Sequence, residues 1–186
     1  MAEKPKYLKG QLLLDGGNLV GSWFHRTVVL ICDHDEKGAF GLVLNRDSGR
    51  KAGDAIIEDL PEQVRELAVY IGGPVQPGAM SFLYTDDYLP DGNVLPNVSL
   101  SHSLEDLVAI GDSFSPTQKI RLFAGYAGWA PGQLESEMRR KSWLAVPATP
   151  ALIFPADPSR LWQEILAPMG WKYRLLANSP DDLSRN

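Results

Sequence analysis

A thiol and an imidazole stand two positions apart at Cys32 and His34. Side chains two apart in a β-strand lie on the same face, so this pair could serve as a nucleophile and its base. Cys32 also ends the apolar run 28–32, where burial would raise the pKa of its thiol and leave it unreactive. We therefore favour a structural role for Cys32. A hydrolase or transferase that uses Cys32 with His34, or His25 as a general base, stays open as an alternative.

A β-hairpin is the strongest secondary-structure prediction, and it determines where other polar side chains meet. Two apolar runs rich in β-branched residues, 27–33 and 39–45, are separated by the turn residues 34–38. The continuous apolar run 28–32 predicts a central strand that is covered on both faces. With residues 35–38 as the loop, the predicted pairs are His34 with Ala39, Cys32 with Gly41, and Thr27 with Arg46.

That register gathers Arg26, Asn45 and Arg46 at the open end of the hairpin. A guanidinium presents a planar fork of donors that suits a carboxylate or a phosphate. We therefore predict that these three side chains bind a small anionic ligand. The alternative is that the two arginines pair with nearby carboxylates at an edge of the sheet.

The segment GYAGWAPG at 125–132 is the other concentration of unusual residues, where a strand end runs into a helix. Glycines allow a close approach to a ligand, and a helix N-terminus offers free amide groups. The spacing matches neither GxGxxG nor GxxxxGK(S/T), and the segment lacks the lysine of a phosphate loop. The residues alone therefore favour tight-turn geometry with Trp129 packed over it.

The remaining pattern predicts strands and helices in irregular alternation. Further strands are predicted at 11–14, 69–71, 80–84, 119–125 and 143–146. Helices are predicted after the capping residue Ser103, from Pro131, after Asp157, and in two short pieces on either side of Pro61. The pattern predicts an α+β fold in which a mixed, curved sheet is flanked by helices. We expect a single compact domain over 1–186, with an ordered core of about 10–170.

Composition excludes several classes of protein. The chain has 186 residues, 44% hydrophobic and 22% charged, as in ordinary globular domains rather than disordered segments. A single cysteine excludes an intramolecular disulfide and a multi-thiolate metal site, and no histidine pair has ligand spacing. We predict neither a metal nor a cofactor. No apolar run could span a membrane, so we expect a cytoplasmic protein with no membrane partner.

The charge balance argues against a nucleic-acid partner. Lysine plus arginine number 18 and aspartate plus glutamate number 23, which gives a net charge of −5. Proteins that hold DNA through its phosphates show a concentrated basic face. Here Arg139, Arg140 and Lys141 form only a short basic cluster, so direct nucleic-acid binding is not expected.

Three ordered blocks of the sequence resemble the bacterial YqgE/AlgH family. They are FHRTVVLICDH with GAFGLVLNR at 24–34 and 38–46, YIGGPV at 70–75, and GYAGWAPGQLE at 125–135 followed by WL at 143–144. The resemblance implies a one-domain fold with a mixed, barrel-like or bifurcated sheet flanked by helices, in the bacterial cytosol. Some members carry the label of transcriptional regulator, although no DNA-binding motif accounts for it.

Six residues stand in family positions and form the predicted ligand-binding set: Arg26, Asn45, Arg46, Trp129, Gly132 and Gln133. The chain departs from the family pattern at DGGN, 15–18, and at SFLYT, 81–85, where a histidine-containing strand is often seen. Our leading hypothesis is a non-enzymatic binding or regulatory module that acts through a small anionic ligand or a protein partner. The alternatives are the hydrolase or transferase described above and, from the family label, a transcriptional regulator.

Overall fold

The sheet holds nine strands in the part of the chain that the computed structural model describes, residues 7–86, 91–113 and 115–180. In chain order they are β1 (Gln11–Asp15), β2 (Val28–Asp35), β3 (Gly38–Val43), β4 (Asp47–Lys51), β5 (Ala68–Ile71), β6 (Val75–Thr85), β7 (Val98–Ser101), β8 (Ile120–Trp129) and β9 (Trp143–Pro147). Their order across the sheet is β4-β5-β8-β3-β2-β1-β9, with β6 beside β8 and β7 beside β6. The sheet is mixed, because β5 and β8 are parallel and the other pairs are antiparallel.

Helices cover both faces of this sheet, so the predicted α+β fold with a mixed, helix-flanked sheet is confirmed. They are α1 (Ala52–Ala55), α2 (Glu62–Arg65), α3 (Leu104–Asp112), α4 (Gln133–Arg139), α5 (Pro150–Ile153), α6 (Leu161–Leu166) and α7 (Trp171–Asn178). Ser103 caps α3 as predicted, by accepting a hydrogen bond from the N–H of Asp106. The sequence pattern does not predict β4, β7, α5 or α7. No described helix is long and apolar enough to cross a membrane.

The apolar run in β2 is covered on both faces, as predicted. Val28, Leu30 and Cys32 pack in a cluster with Trp162 of α6. Ile31 packs in a second cluster with Trp129 and Trp143. Residues 28–31 are all fully buried. Alternation of side chains along the strand sends residues 30 and 31 to opposite faces, and each face has its own helical cover.

The predicted hairpin register is correct at the loop, but beyond the loop the predicted pairs are wrong by one residue. His34 lies opposite Ala39 as predicted, but Gly41 lies opposite Ile31 rather than Cys32. A β-bulge between Ile31 and Asp33 inserts one extra residue into β2 and shifts every later pair. Beyond the bulge, Leu44 donates its N–H to the carbonyl of Val28. The predicted pairing of Thr27 with Arg46 is therefore wrong as well.

The long strand β8 changes its partner along one edge at Gly125. Residues 125–129, which the sequence predicted as part of a tight turn, continue as strand. Residues 122–124 pair with β5, whereas residues 127–129 pair with β3. Gly125 lies between these stretches with φ of +70°, in the left-handed region that glycine tolerates. Gly73 crosses so close to β8 that an added Cβ would lie 2.0 Å from the carbonyl carbon of Tyr126. The GGP motif at 72–74 is therefore a close backbone crossing.

Candidate functional site

Arg26 lies just before β2 and turns toward the C-terminal segment. Its backbone φ of +54° is in the left-handed region, and its N–H donates to the buried carboxylate of Asp15 at 2.9 Å. The guanidinium stands over the Trp162 ring, 5.0 Å from its centroid. Its Nη2 donates to the carbonyls of Ser179 at 2.6 Å and Pro180 at 2.8 Å. Arg26 thus fastens the end of the described chain to the start of β2.

Arg46 lies after β3 and turns toward a different aromatic ring. Its guanidinium carbon is 4.4 Å from the centroid of the Trp23 ring, a cation–π contact. Nη2 donates to the carbonyl of Trp23 at 2.6 Å. Burial lowers the pKa of Arg46, because desolvation disfavours the charged form. Its Nε is buried and has no hydrogen-bond partner among the described residues.

The two guanidiniums reach opposite faces of the sheet. Trp162, beneath Arg26, belongs to the cluster of Leu30, whereas Trp23, beneath Arg46, packs against the cluster of Ile31. The predicted convergence of the two cations in one receptor is therefore wrong. The left-handed backbone at Arg26 is the physical reason, since it takes the chain out of strand geometry before β2 begins.

Asn45, which the sequence predicted to lie with the two arginines, links the end of β3 to the start of β2. Its Oδ1 accepts the N–H of Val28 at 2.9 Å, and its Nδ2 donates to the carbonyl of Arg26 at 2.8 Å. Both ends of the amide are therefore used in hydrogen bonds to the backbone. They continue the hydrogen bonding of the hairpin past the last regular pair.

Trp129 and Gln133 bind the carboxylate of Glu137, and Gly132 directly precedes the helix that carries it. Trp129 Nε1 donates to Glu137 Oε2 at 2.9 Å, and Gln133 Nε2 donates to Oε1 at 3.0 Å. Trp143 Nε1 also donates to Oε2, at 2.8 Å. Gly132, with φ of +75°, turns the chain into α4. Glu137, which the sequence reasoning did not single out, thus organises this part of the molecule.

Cys32 and His34 each make contacts of their own within the fold. Cys32 is 2% exposed, and burial raises the pKa of its thiol well above the ordinary range. His34 Nδ1 accepts the N–H of Leu8 at 2.9 Å, so Nε2 carries the proton and points to Glu135 Oε1 at 3.3 Å. A protonated, buried thiol and an imidazole with both nitrogens engaged do not form a nucleophile and base.

His25 lies beside the buried carboxylate of Asp15. Its Nδ1 is 3.3 Å from Asp15 Oδ2, an ion-pair separation without the alignment of a hydrogen bond. The two Asp15 oxygens accept the N–H groups of Gly17, Leu19 and Arg26. Asp15 therefore shapes the loop that precedes β2, and His25 packs against that loop.

Arg121 is the charged residue that the sequence reasoning missed. It lies on β8, is only 5% exposed, and forms no ion pair with any described residue. Nη1 donates to the carbonyl of Ile153 at 2.7 Å, and Nη2 donates to the carbonyl of Leu44. The guanidinium carbon is 4.0 Å from the centroid of the Tyr70 ring. Burial lowers the pKa of Arg121 to about 10.

The Arg121 side chain lines a cleft of about 340 Å³. We call it the Arg121 cleft; other residues that line it include Tyr70, Gln118, Lys119, Phe154 and Pro155. None of the described lining residues is acidic. Sequence offers one signal for this site, a single arginine inside the apolar run 120–124, IRLFA.

Two further clefts are present in the described structure. One, of about 290 Å³, is mainly apolar and contains the pair Ser81 Oγ and His102 Nδ1 at 3.1 Å. The other, of about 480 Å³, is lined by Lys141 and Lys172 together with Asn18 and Trp143. None of the six predicted ligand-binding residues lines any of these three clefts.

Similar proteins are found across nearly the full length. A family model described as AlgH-like matches residues 12–174, in agreement with the resemblance predicted from the sequence blocks. A UPF0301 protein of Chlorobium luteolum is 34% identical over 184 residues, 96% of this chain and 95% of the relative. A UPF0301 protein of Beijerinckia indica is 41% identical over 165 residues, 80% of this chain and 78% of the relative.

Two solved structures share the fold. The solution structure of the AlgH protein from Pseudomonas aeruginosa superposes with a TM-score of 0.72 at 29% identity, covering 97% of this chain and 98% of that one. A crystal structure of a Corynebacterium diphtheriae protein gives a TM-score of 0.76 at 25% identity, with 95% of both chains covered. The likeness therefore extends over the sheet and its helical layers.

Proposed function

This chain belongs to the AlgH-like family, and we propose that it is a non-enzymatic binding module that holds a small anionic ligand in the Arg121 cleft. The proposal keeps the class of ligand that the sequence suggested and moves the site to another arginine. Support for a non-enzymatic role comes from Cys32 and His34, whose polar atoms are engaged within the fold.

One observation carries the proposal: Arg121 is a buried cation that forms no ion pair with the described residues. Removing a charge from water is costly unless an opposite charge compensates. The carbonyls of Ile153 and Leu44 and the Tyr70 ring offset part of that cost, but none of them carries a net charge. The carboxylate of Asp47 also raises the pKa of Arg121, but it is the smallest of the causes and forms no ion pair with Arg121. A bound carboxylate or phosphate would supply the missing negative charge and accept further N–H groups.

The lining of the cleft favours a small ligand with one anionic group and an apolar body. The exposed Lys119 adds a second positive charge, while Phe154, Pro155 and Ala156 provide an apolar wall. A volume of about 340 Å³ is at the low end of the range for small-molecule sites, roughly 300–1,000 Å³. A short organic acid or a small phosphate ester fits this description.

Isothermal titration calorimetry and thermal unfolding with a panel of small carboxylates and phosphates test the proposal. We expect at least one of these anions to bind the wild-type protein and to raise its Tm. Arg121→Gln should weaken that binding about tenfold or more, since hydrogen bonds to a charged group are worth about 1.5–3 kcal/mol. Lys119→Ala should weaken it about two- to fivefold, as for exposed charges. Lys37→Ala, an exposed lysine in the β2–β3 turn, is the matched control.

The same titration decides between the Arg121 cleft and the residues predicted from the sequence. If Arg46→Ala abolishes binding while a folded Arg121→Gln protein keeps it, the ligand is held by the predicted set and the Arg121 proposal fails. Absence of any Tm shift across the whole panel would also refute it. Circular dichroism of each variant establishes that a loss of binding is not a loss of fold.

A further inference from the structure

Helix α7 presents apolar side chains away from the protein. Trp171 is 76% exposed and Leu175 is 64% exposed, and Met169 just before the helix is 37% exposed. Trp171 and Leu175 are four residues apart and so share one face, whereas the buried Ala177 lies on the opposite face. Large apolar side chains clustered on an outward face are typical of an interaction surface rather than of a solvated helix.

Basic side chains flank this apolar face. Residues 167–178, APMGWKYRLLAN, contain Lys172 and Arg174 and no acidic residue. Lys172 also lines the cleft of about 480 Å³ together with Lys141, which ends the basic cluster 139–141. Neither Lys141 nor Lys172 forms an ion pair with a described residue. Positive charge is thus concentrated here in a chain whose net charge is −5.

We propose that Met169, Trp171 and Leu175 form a surface that binds an anionic phospholipid membrane from one side, together with Lys172 of α7 and Lys141 in the cleft that Lys172 lines. We call it the α7 face. The indole of tryptophan suits the boundary between headgroups and acyl chains, and leucine and methionine can enter the acyl region. The lysines would lie at the level of the phosphates, where anionic lipids attract basic residues.

Charge and polarity together favour a lipid surface over other anionic partners. A nucleic acid would pair with the lysines and leave Leu175 and Met169 in water, where they contribute nothing to binding. A lipid surface offers both phosphates and an apolar layer, and so accounts for the basic and the apolar residues at once. The surface is independent of the Arg121 cleft, because the two share no lining residue.

Co-sedimentation with large unilamellar vesicles tests the proposal on the full chain. We expect binding to vesicles of phosphatidylcholine mixed with phosphatidylglycerol, weakening with added salt, and little binding to phosphatidylcholine alone. Lys172→Glu should lower partitioning at least about fivefold, since each basic residue near an anionic surface contributes about that factor. Trp171→Ala should lower it as well, and both side chains are exposed, so the fold should be kept.

Matched controls lie elsewhere on the surface. Ile57→Ala removes another fully exposed apolar side chain, and Lys37→Glu reverses another exposed lysine; both should partition like the wild type. Equal binding to the two vesicle types would overturn the proposal, as would wild-type partitioning of both α7 variants. Binding of soluble glycerol phosphate without binding to vesicles would overturn it too, because the ligand would then be a free phosphate. A change in oligomeric state in Trp171→Ala would assign the face to a second copy of the chain instead.

Discussion

Replacing Glu137 with alanine tests whether Trp129 and Gln133, two of the residues predicted to bind a ligand, serve the fold. The Glu137 carboxylate accepts three side-chain hydrogen bonds, from the indoles of Trp129 and Trp143 and from the Gln133 amide. Both indole rings are nearly buried, at 7% and 4% exposure. The substitution therefore removes the common acceptor of two buried donors.

The expected loss of stability follows from those two donors. A buried donor left without its acceptor costs about 1–3 kcal/mol, so the two indoles together give about 2–6 kcal/mol. Glu137 itself is only half-buried, so water can enter part of the vacated space, and we expect about 2–4 kcal/mol. Glu137→Gln keeps one acceptor oxygen but faces the Gln133 amide with another amide donor, so it should cost about 1–2 kcal/mol.

Urea unfolding followed by circular dichroism measures both variants, with Glu36→Ala in the exposed β2–β3 turn as the control. The control should stay within about 0.5 kcal/mol of the wild type. Anion binding should be unchanged in folded Glu137→Gln, because the Arg121 cleft does not include this region. A loss below about 0.5 kcal/mol for Glu137→Ala would refute the reasoning. So would abolition of anion binding in a fully folded variant.

Three further predictions concern the strands and the segments that join them. Asn45→Ala removes both side-chain bonds that link the hairpin ends and should cost about 1–3 kcal/mol in urea unfolding, with unchanged anion affinity. Cys32 should stay unreactive toward a disulfide reagent near pH 8 until denaturant is added, because burial raises the pKa of its thiol; rapid reaction of the native protein would contradict this. Gly73→Ala should prevent folding, measured as loss of soluble protein, while Gly78→Ala, with open space around it, should fold normally.

The hairpin was predictable because its signals are local, whereas its register was not. Loop length and β-branched runs place His34 opposite Ala39, and the structure agrees. The bulge after Ile31 leaves no mark in the sequence, because it uses ordinary strand residues rather than a glycine. A single inserted residue then moves Cys32 out of its predicted pair with Gly41.

The candidate site was harder to predict because burial of a charge depends on distant segments. The predicted arginines Arg26 and Arg46 are close along the strand ends, but their side chains diverge onto Trp162 and Trp23. Arg121 is enclosed by the end of β3, by β5 and by the end of α5, segments that are far apart in the chain. An arginine in an apolar strand is the only local sign of that enclosure.

The residue type at position 121 helps to decide whether Arg121 serves the fold alone or also binds a ligand. Two carbonyl oxygens need donors here, those of Leu44 and Ile153, and an uncharged amide could satisfy them at lower desolvation cost. Arginine instead carries five N–H donors and a full charge into the interior, more than two carbonyls require. If the residue serves the fold alone, Arg121→Gln should lower the stability of the protein and leave anion binding as in the wild type. If the excess charge serves a ligand, the same substitution keeps the fold and weakens anion binding by about tenfold or more.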